Sequence, residues 1–141
     1  MEDNNKISFS LIQIKTEQFA LFPENHSEKG KIKLNTNLTF GLNSDDKRFS
    51  VTTKFTFEMK QKPFMSIQVS CFFQIDNSAW KSFAKEGKMI FPKNFVAHMA
   101  MLTIGTTRGV LHSKTEDTPF NQYILPTTNV AEIIDEDVVF D

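Results

Sequence analysis

The 141-residue sequence is poor in the residues that usually betray a job: one cysteine, one tyrosine, one tryptophan and three histidines. Cys71 has no second thiol to pair with, and it lies on the apolar parity of its segment. It reads as a buried, inert thiol in a reducing compartment, and the expected location is the cytoplasm. Neither His26, His98 nor His112 has another His or Cys at a ligand spacing, so no metal or other cofactor is expected. The stretch Gly105-Thr106-Thr107-Arg108-Gly109 lacks the Gly-Lys-Ser/Thr ending of a phosphate loop. As a nucleophile Cys71 would need a base and an electropositive, partly exposed setting, and its strand parity argues against that, so an enzyme is not expected. Charge of one sign is also missing. Lys and Arg number 16 against 17 Asp and Glu, with the lysines dispersed, which leaves no footprint for nucleic acid. No apolar run approaches the roughly 18 residues of a membrane span, and residues 1–6 are polar, so neither insertion nor a secretory leader is expected. The glycosylation-like triplets at Asn25 and Asn37 are then chance matches.

What the sequence does have is alternation. Ile32, Leu34, Thr36, Leu38, Phe40 and Leu42 interleave with polar residues, as do Phe49 to Met59 and Met65 to Ile75. Side chains on a strand point to opposite faces with period two, so each run predicts a strand with one buried and one wet face. Residues 7–22 make a further strand, whose parity switches at Leu11-Ile12 and predicts a bulge there. Short connections predict that successive strands are antiparallel neighbours. Asp76-Asn77-Ser78 supplies capping chemistry for a short helical turn carrying Trp80 and Phe83 and closed by Gly87. From Pro92 the period becomes 3.6, predicting a helix to about Val110 with the stripe Phe95, Met99, Leu102, Thr106. Ala97, Ala100, Gly105 and Gly109 leave that helix little bulk, which suits close approach of the same helix in a second subunit. Residues 112–128 read as loop, 129–134 as a terminal helix, and the acidic end from about 135 as a frayed, solvated tail. The fold class is α+β: one domain, a four-stranded antiparallel sheet with helices packed on one face.

The 15 phenylalanines are the compositional surplus. One small core has little room for so many rings, and the expectation is that some face a second subunit or a non-native peptide.

The order of these features carries a resemblance. Long alternating strands are followed by Phe72-Phe73-Gln74-Ile75, then Met89-Ile90-Phe91-Pro92 opening a long helix. Thr107-Arg108-Gly109 and Leu125-Pro126-Thr127-Thr128-Asn129 come next. Over residues 7–134 this resembles the SecB family of export chaperones, with one extra helical turn before Arg108 and a polar insert at 113–118. The resemblance implies a dimer of dimers with helices sandwiched between sheets. It also implies an ATP-independent holdase that binds unfolded polypeptides or preproteins in apolar grooves during protein export. The family's groove positions fall on Ile32 and Leu34, on Phe64, and on Phe72 or Phe73; Phe22 and Trp80 join them as residues at the ends of elements. The physics agrees, because burial of Phe or Met is non-directional and grips many sequences.

The family presents acidic residues on its outer sheet face to the export motor SecA. Here that parity offers Lys31, Lys33, Lys54 and Lys60 with Glu58, and Glu17 keeps one acidic position, which argues against SecA docking. Two other readings stand beside the holdase. One is a dedicated module for a single partner, such as an antitoxin; the other is a binder of small apolar ligands between sheet and helix.

Overall fold

The computed structural model describes residues 7–141; the polar stretch 1–6 lies outside the described residues. Strands β1 (Phe9–Leu21), β2 (Ile32–Asn43), β3 (Arg48–Met59) and β4 (Lys62–Ile75) form one antiparallel sheet in the order β1-β4-β3-β2. β1 therefore lies beside β4, not beside β2. The connection over 22–31 is long enough to carry the chain across the end of the sheet instead of turning it back. The expected bulge is present: the register of β1 on β4 slips between Leu11 and Gln13, and again between Thr16 and Gln18. β3 ends in a tight turn at Lys60 and Gln61, with φ 52° and 66°, and Pro63 sits at the start of β4 opposite Glu58, where a missing N–H is tolerated.

Asp76 caps α1 (Asn77–Phe83), its Oδ1 accepting the Ala79 N–H at 2.9 Å. Gly87, expected to close that helix, lies instead at φ 79° in the turn between β5 (Ala84–Lys85) and β6 (Lys88–Phe91). The long helix α2 runs Lys93–Thr115, so the start of the expected insert is its last turn. A 3-10 turn (Pro119–Gln122) and α3 (Val130–Ile133) follow. The residues expected to fray do not: β7 (Val138–Phe140) pairs with β6 in a second, three-stranded sheet.

The core lies between α2 and the β3–β4 half of the sheet, where Phe49, Val51, Phe55, Ile67, Val69 and Phe73 are sealed. The buried stripe of α2 is rotated from the expected one. Phe95 and Met99 are buried as the period demanded, but the stripe continues through Thr103, Ile104, Thr107 and Leu111, while Leu102 is 36% exposed. Threonines are admitted because each hydroxyl returns to the carbonyl four residues back, Thr103 to Met99 at 2.9 Å and Thr107 to Thr103 at 2.7 Å. With its hydrogen committed to Thr103, Thr107 must accept from Thr53 of β3 across 2.6 Å. Thr107→Val should therefore cost about 1–3 kcal/mol by stranding the Thr53 hydroxyl. The double change Thr53→Val/Thr107→Val should recover most of it, a coupling readable from denaturant melts of the four-member cycle.

Arg108 explains how two separated sequence signals belong together. Its Nε donates to the Leu125 carbonyl at 2.8 Å and its guanidinium to that of Pro126 at 3.1 Å, fastening the 125–126 segment to the helix. Farther along, the His26 Nε2 meets the Tyr123 hydroxyl at 2.6 Å, and their rings pack with Phe64 and Phe120. This cluster holds the 22–31 crossover down over one end of the sheet.

Candidate functional site

Helix α2 is as wide as two strands, and the sheet has four. The inner face of the sheet is consequently covered over β3 and β4 and left part-open along both flanks. On the β2 flank Ile32 is 44% exposed, and Leu34, Leu38 and Phe40 are half-buried. A cavity of about 500 Å³ opens there, lined by Thr36, Asn37, Leu38, Phe40, Ile133 and Ile134. Because β2 ends the sheet, its outward backbone groups have no strand partner among the described residues. On the β1 flank Leu11, Ile12 and Ile14 are all more than 40% exposed.

The seven residues singled out from sequence do not converge. Ile32 and Leu34 share the open β2 flank. Phe22 is exposed at the start of the crossover, its N–H bonded to the Phe64 carbonyl at 2.8 Å. Phe64 is sealed: it enters the core at the slip in register between β3 and β4, under His26, Phe120 and Tyr123. Phe73 is sealed as well, with Phe9 edge-on at 5.9 Å, and Trp80 is buried against Phe91 at 5.8 Å. Phe72 is half-buried on the opposite, outer face. Phe64, Phe73 and Trp80 thus offer this protomer's surface almost nothing. Most of the phenylalanines are core, and apart from Phe22 the large apolar side chains left exposed are aliphatic: Leu11, Ile12, Ile14, Ile32, Met101, Leu102, Ile124, Ile133 and Val139. Sequence reasoning passed over Leu38 and Phe40, although they share the alternation of Ile32. It also passed over Ile133, whose only signal was its place in a short terminal helix.

The outer face is mixed in charge, as its parity required. Lys33 and Lys54 stand there with Glu58, which accepts from the Asn35 amide at 2.7 Å. Glu17 is tied to Lys15 at 3.6 Å and to the Ser70 hydroxyl at 2.8 Å.

Among the described residues no cluster of His, Cys, Asp or Glu could hold a metal ion, and no helix is long and apolar enough to cross a membrane. Cys71 is buried beneath α2. Burial pushes its thiol above the usual range, and hydrogen bonds with Thr103 and Thr106 pull it partly back. The folded state therefore keeps its proton where the unfolded chain would lose it. Stability from this group is whole below the unfolded thiol's pKa of about 8.5 and falls as pH rises from there toward the folded value. Denaturant melts between pH 8 and 10 should show this loss, and Cys71→Ala should lack that component.

No protein-family model and no curated protein matches the sequence. Among solved structures, the fold is similar to the Mycobacterium tuberculosis SecB-like chaperone Rv1957 in complex with a ChAD peptide from the Rv1956 HigA1 antitoxin. The TM-score is 0.51 at 10% identity, over 86% of this chain and 91% of that one. It also matches a protein of unknown function from Streptococcus agalactiae, with TM-score 0.41 and 13% identity over 87% of this chain and 98% of that one. With its β1-β4-β3-β2 antiparallel sheet and a long helix laid on one face, this chain has the SecB-like fold.

Proposed function

We propose that the chain is an ATP-independent holdase that receives extended segments of unfolded polypeptides along the β2 flank. The observation that carries this reading is the half-open apolar inner face beside a strand edge that is unpaired among the described residues. Aliphatic side chains there grip without specifying sequence, and the edge adds main-chain hydrogen bonds that any extended client can make. The SecB-like neighbour was solved with an antitoxin peptide bound, which supports a polypeptide client for this fold. The mixed outer face supports a role without docking to SecA. The test is aggregation of a chemically denatured, unrelated protein diluted into stoichiometric amounts of this one. Suppression without nucleotide supports the reading; protection of one dedicated partner only would replace the general holdase by a specific module.

Assembly from two or more copies belongs to the same reading. Met101, 53% exposed, and Leu102 share a face of α2 with Gly105 and Gly109, and a Cβ added at either glycine meets nothing within 4 Å. Nothing inside the protomer demands glycine there, while each costs about 1 kcal/mol of helix propensity against Ala. A closely packed second copy supplies the missing reason. Gly105→Leu should lower the mass measured by light scattering to that of the protomer without unfolding it. A Gly105→Leu protein with the parent's assembly mass would remove helix-on-helix packing at this position.

A second reading rests on a cavity of about 880 Å³ at the start of β1. Ile7, Phe9, Phe83, Ile90 and Phe95 line it, with Ser82, Lys85, Asn94 and His98 at its wall. A small apolar ligand fits such a space, and a co-purified lipid found by mass spectrometry would favour it.

A further inference from the structure

Residues 137–141 are bound to the rest of the chain the way a short peptide is bound to a receptor. Val138, Val139 and Phe140 add to the edge of β6, opposite Phe91, Ile90 and Met89. Asp137 Oδ1 accepts the Lys93 N–H at 2.9 Å, capping the first turn of α2. The Phe140 ring stands edge-on to Phe91 at 5.7 Å and to Phe49 at 6.5 Å. Asp141 pairs with Lys88 at 3.6 Å. The contacts read out a pattern: carboxylate, aliphatic, any residue, aromatic, carboxylate. The hold is slight. The pairing spans three residues, Val139 is 51% exposed, and the Lys88–Asp141 pair is solvated.

We propose that the β6 edge and its Phe49–Phe91 socket form a docking site for extended polypeptide segments of this acidic–aliphatic–aromatic pattern. Residues 137–141 fill it in cis as a displaceable strap. The proposal rests on the holdase reading and names a specificity within it. Continuity with the open flank supports it: Phe49, which lines the socket, stacks on Phe40 at 5.9 Å, and Phe40 lines the β2 cavity. A client lying along β2 reaches the socket once the strap leaves. Tethering keeps the strap at a high effective concentration, so only segments that match its chemistry, or that are anchored elsewhere on the flank, displace it.

The test uses the full chain carrying Ile90→Cys and Val139→Cys. These residues face each other across the β6–β7 pair, and the native Cys71 is buried out of reach. The probe is a fluorescein-labelled, end-blocked peptide with the sequence of residues 135–141. The reduced protein should bind it, and the oxidised, strapped protein at least tenfold more weakly; a probe with Ala at the position of Phe140 should bind neither. As a second variant, Phe140→Ala vacates the socket and should bind the parent peptide at least tenfold tighter than the unmodified chain does. Binding should also change the fluorescence of Trp80, which packs on Phe91 at 5.8 Å. Equal binding by oxidised and reduced protein, or no binding by folded Phe140→Ala, overturns the strap. Aggregation assays separate the two readings. Client protection together with equal peptide binding in both redox states leaves the holdase standing and overturns the strap, whereas redox-dependent peptide binding without client protection in either state upholds the site and removes the holdase.

Discussion

Phe64→Asp should leave no cooperative unfolding transition and no near-ultraviolet circular dichroism at 25 °C. The ring is sealed among His26, Phe57, Phe120 and Tyr123, where the 22–31 crossover and the 3-10 turn close over the sheet. Truncating a buried Phe to Ala already costs about 3–5 kcal/mol. An aspartate adds a carboxyl that must be buried without a charged partner or pull water into the cluster. The sum reaches most of the ~5–15 kcal/mol that holds an ordinary domain together. Phe64→Leu keeps the site apolar and should cost only about 1–2 kcal/mol. A Phe64→Asp protein that melts like the parent would show that the ring is not part of the core. That residue would then return to the client surface.

The second large effect should appear in capture and not in stability. Ile32→Ser/Ile133→Ser removes two side chains that are 44% and 46% exposed on the β2 flank. Each loses roughly half the value of a buried isoleucine when a client can no longer cover it, about 1 kcal/mol. Together that weakens capture on the order of 30-fold. The midpoint of thermal unfolding should fall by only several degrees, because each side chain is already close to half exposed in the protomer. Competition of a labelled unfolded client against the parent protein measures the first quantity, and a melting curve the second. Unchanged capture would move the client elsewhere, with the Leu11-Ile12-Ile14 flank of β1 the next place to probe.

These two experiments divide along what local pattern can and cannot express. Alternation marked Phe64 as a residue entering a strand, and the resemblance marked it as a groove aromatic. The register slip between β3 and β4 turned it inward, and such a slip is a property of two strands in contact. The same holds for α2: a period of 3.6 located the helix and its first buried residues. Which neighbouring positions completed the buried face depended on the tilt of the helix across β3 and β4, and on Thr53 waiting opposite Thr107. Arg108 and Leu125-Pro126 stood in the sequence as two unrelated signals, and only the folded chain joins them through two hydrogen bonds.

By itself the amino-acid order determined four strands, their inward faces, the bulge at Leu11, the position of the long helix and the burial of Cys71. All of these follow from the two periodicities of the backbone and from the cost of wetting apolar side chains. Tertiary structure decided the strand order, which phenylalanines were sealed, and that an acidic segment became a strand on β6. Those outcomes depend on partners distant in sequence. A residue's exposure is set by what the fold lays over it, and a helix two strands wide cannot cover a sheet of four.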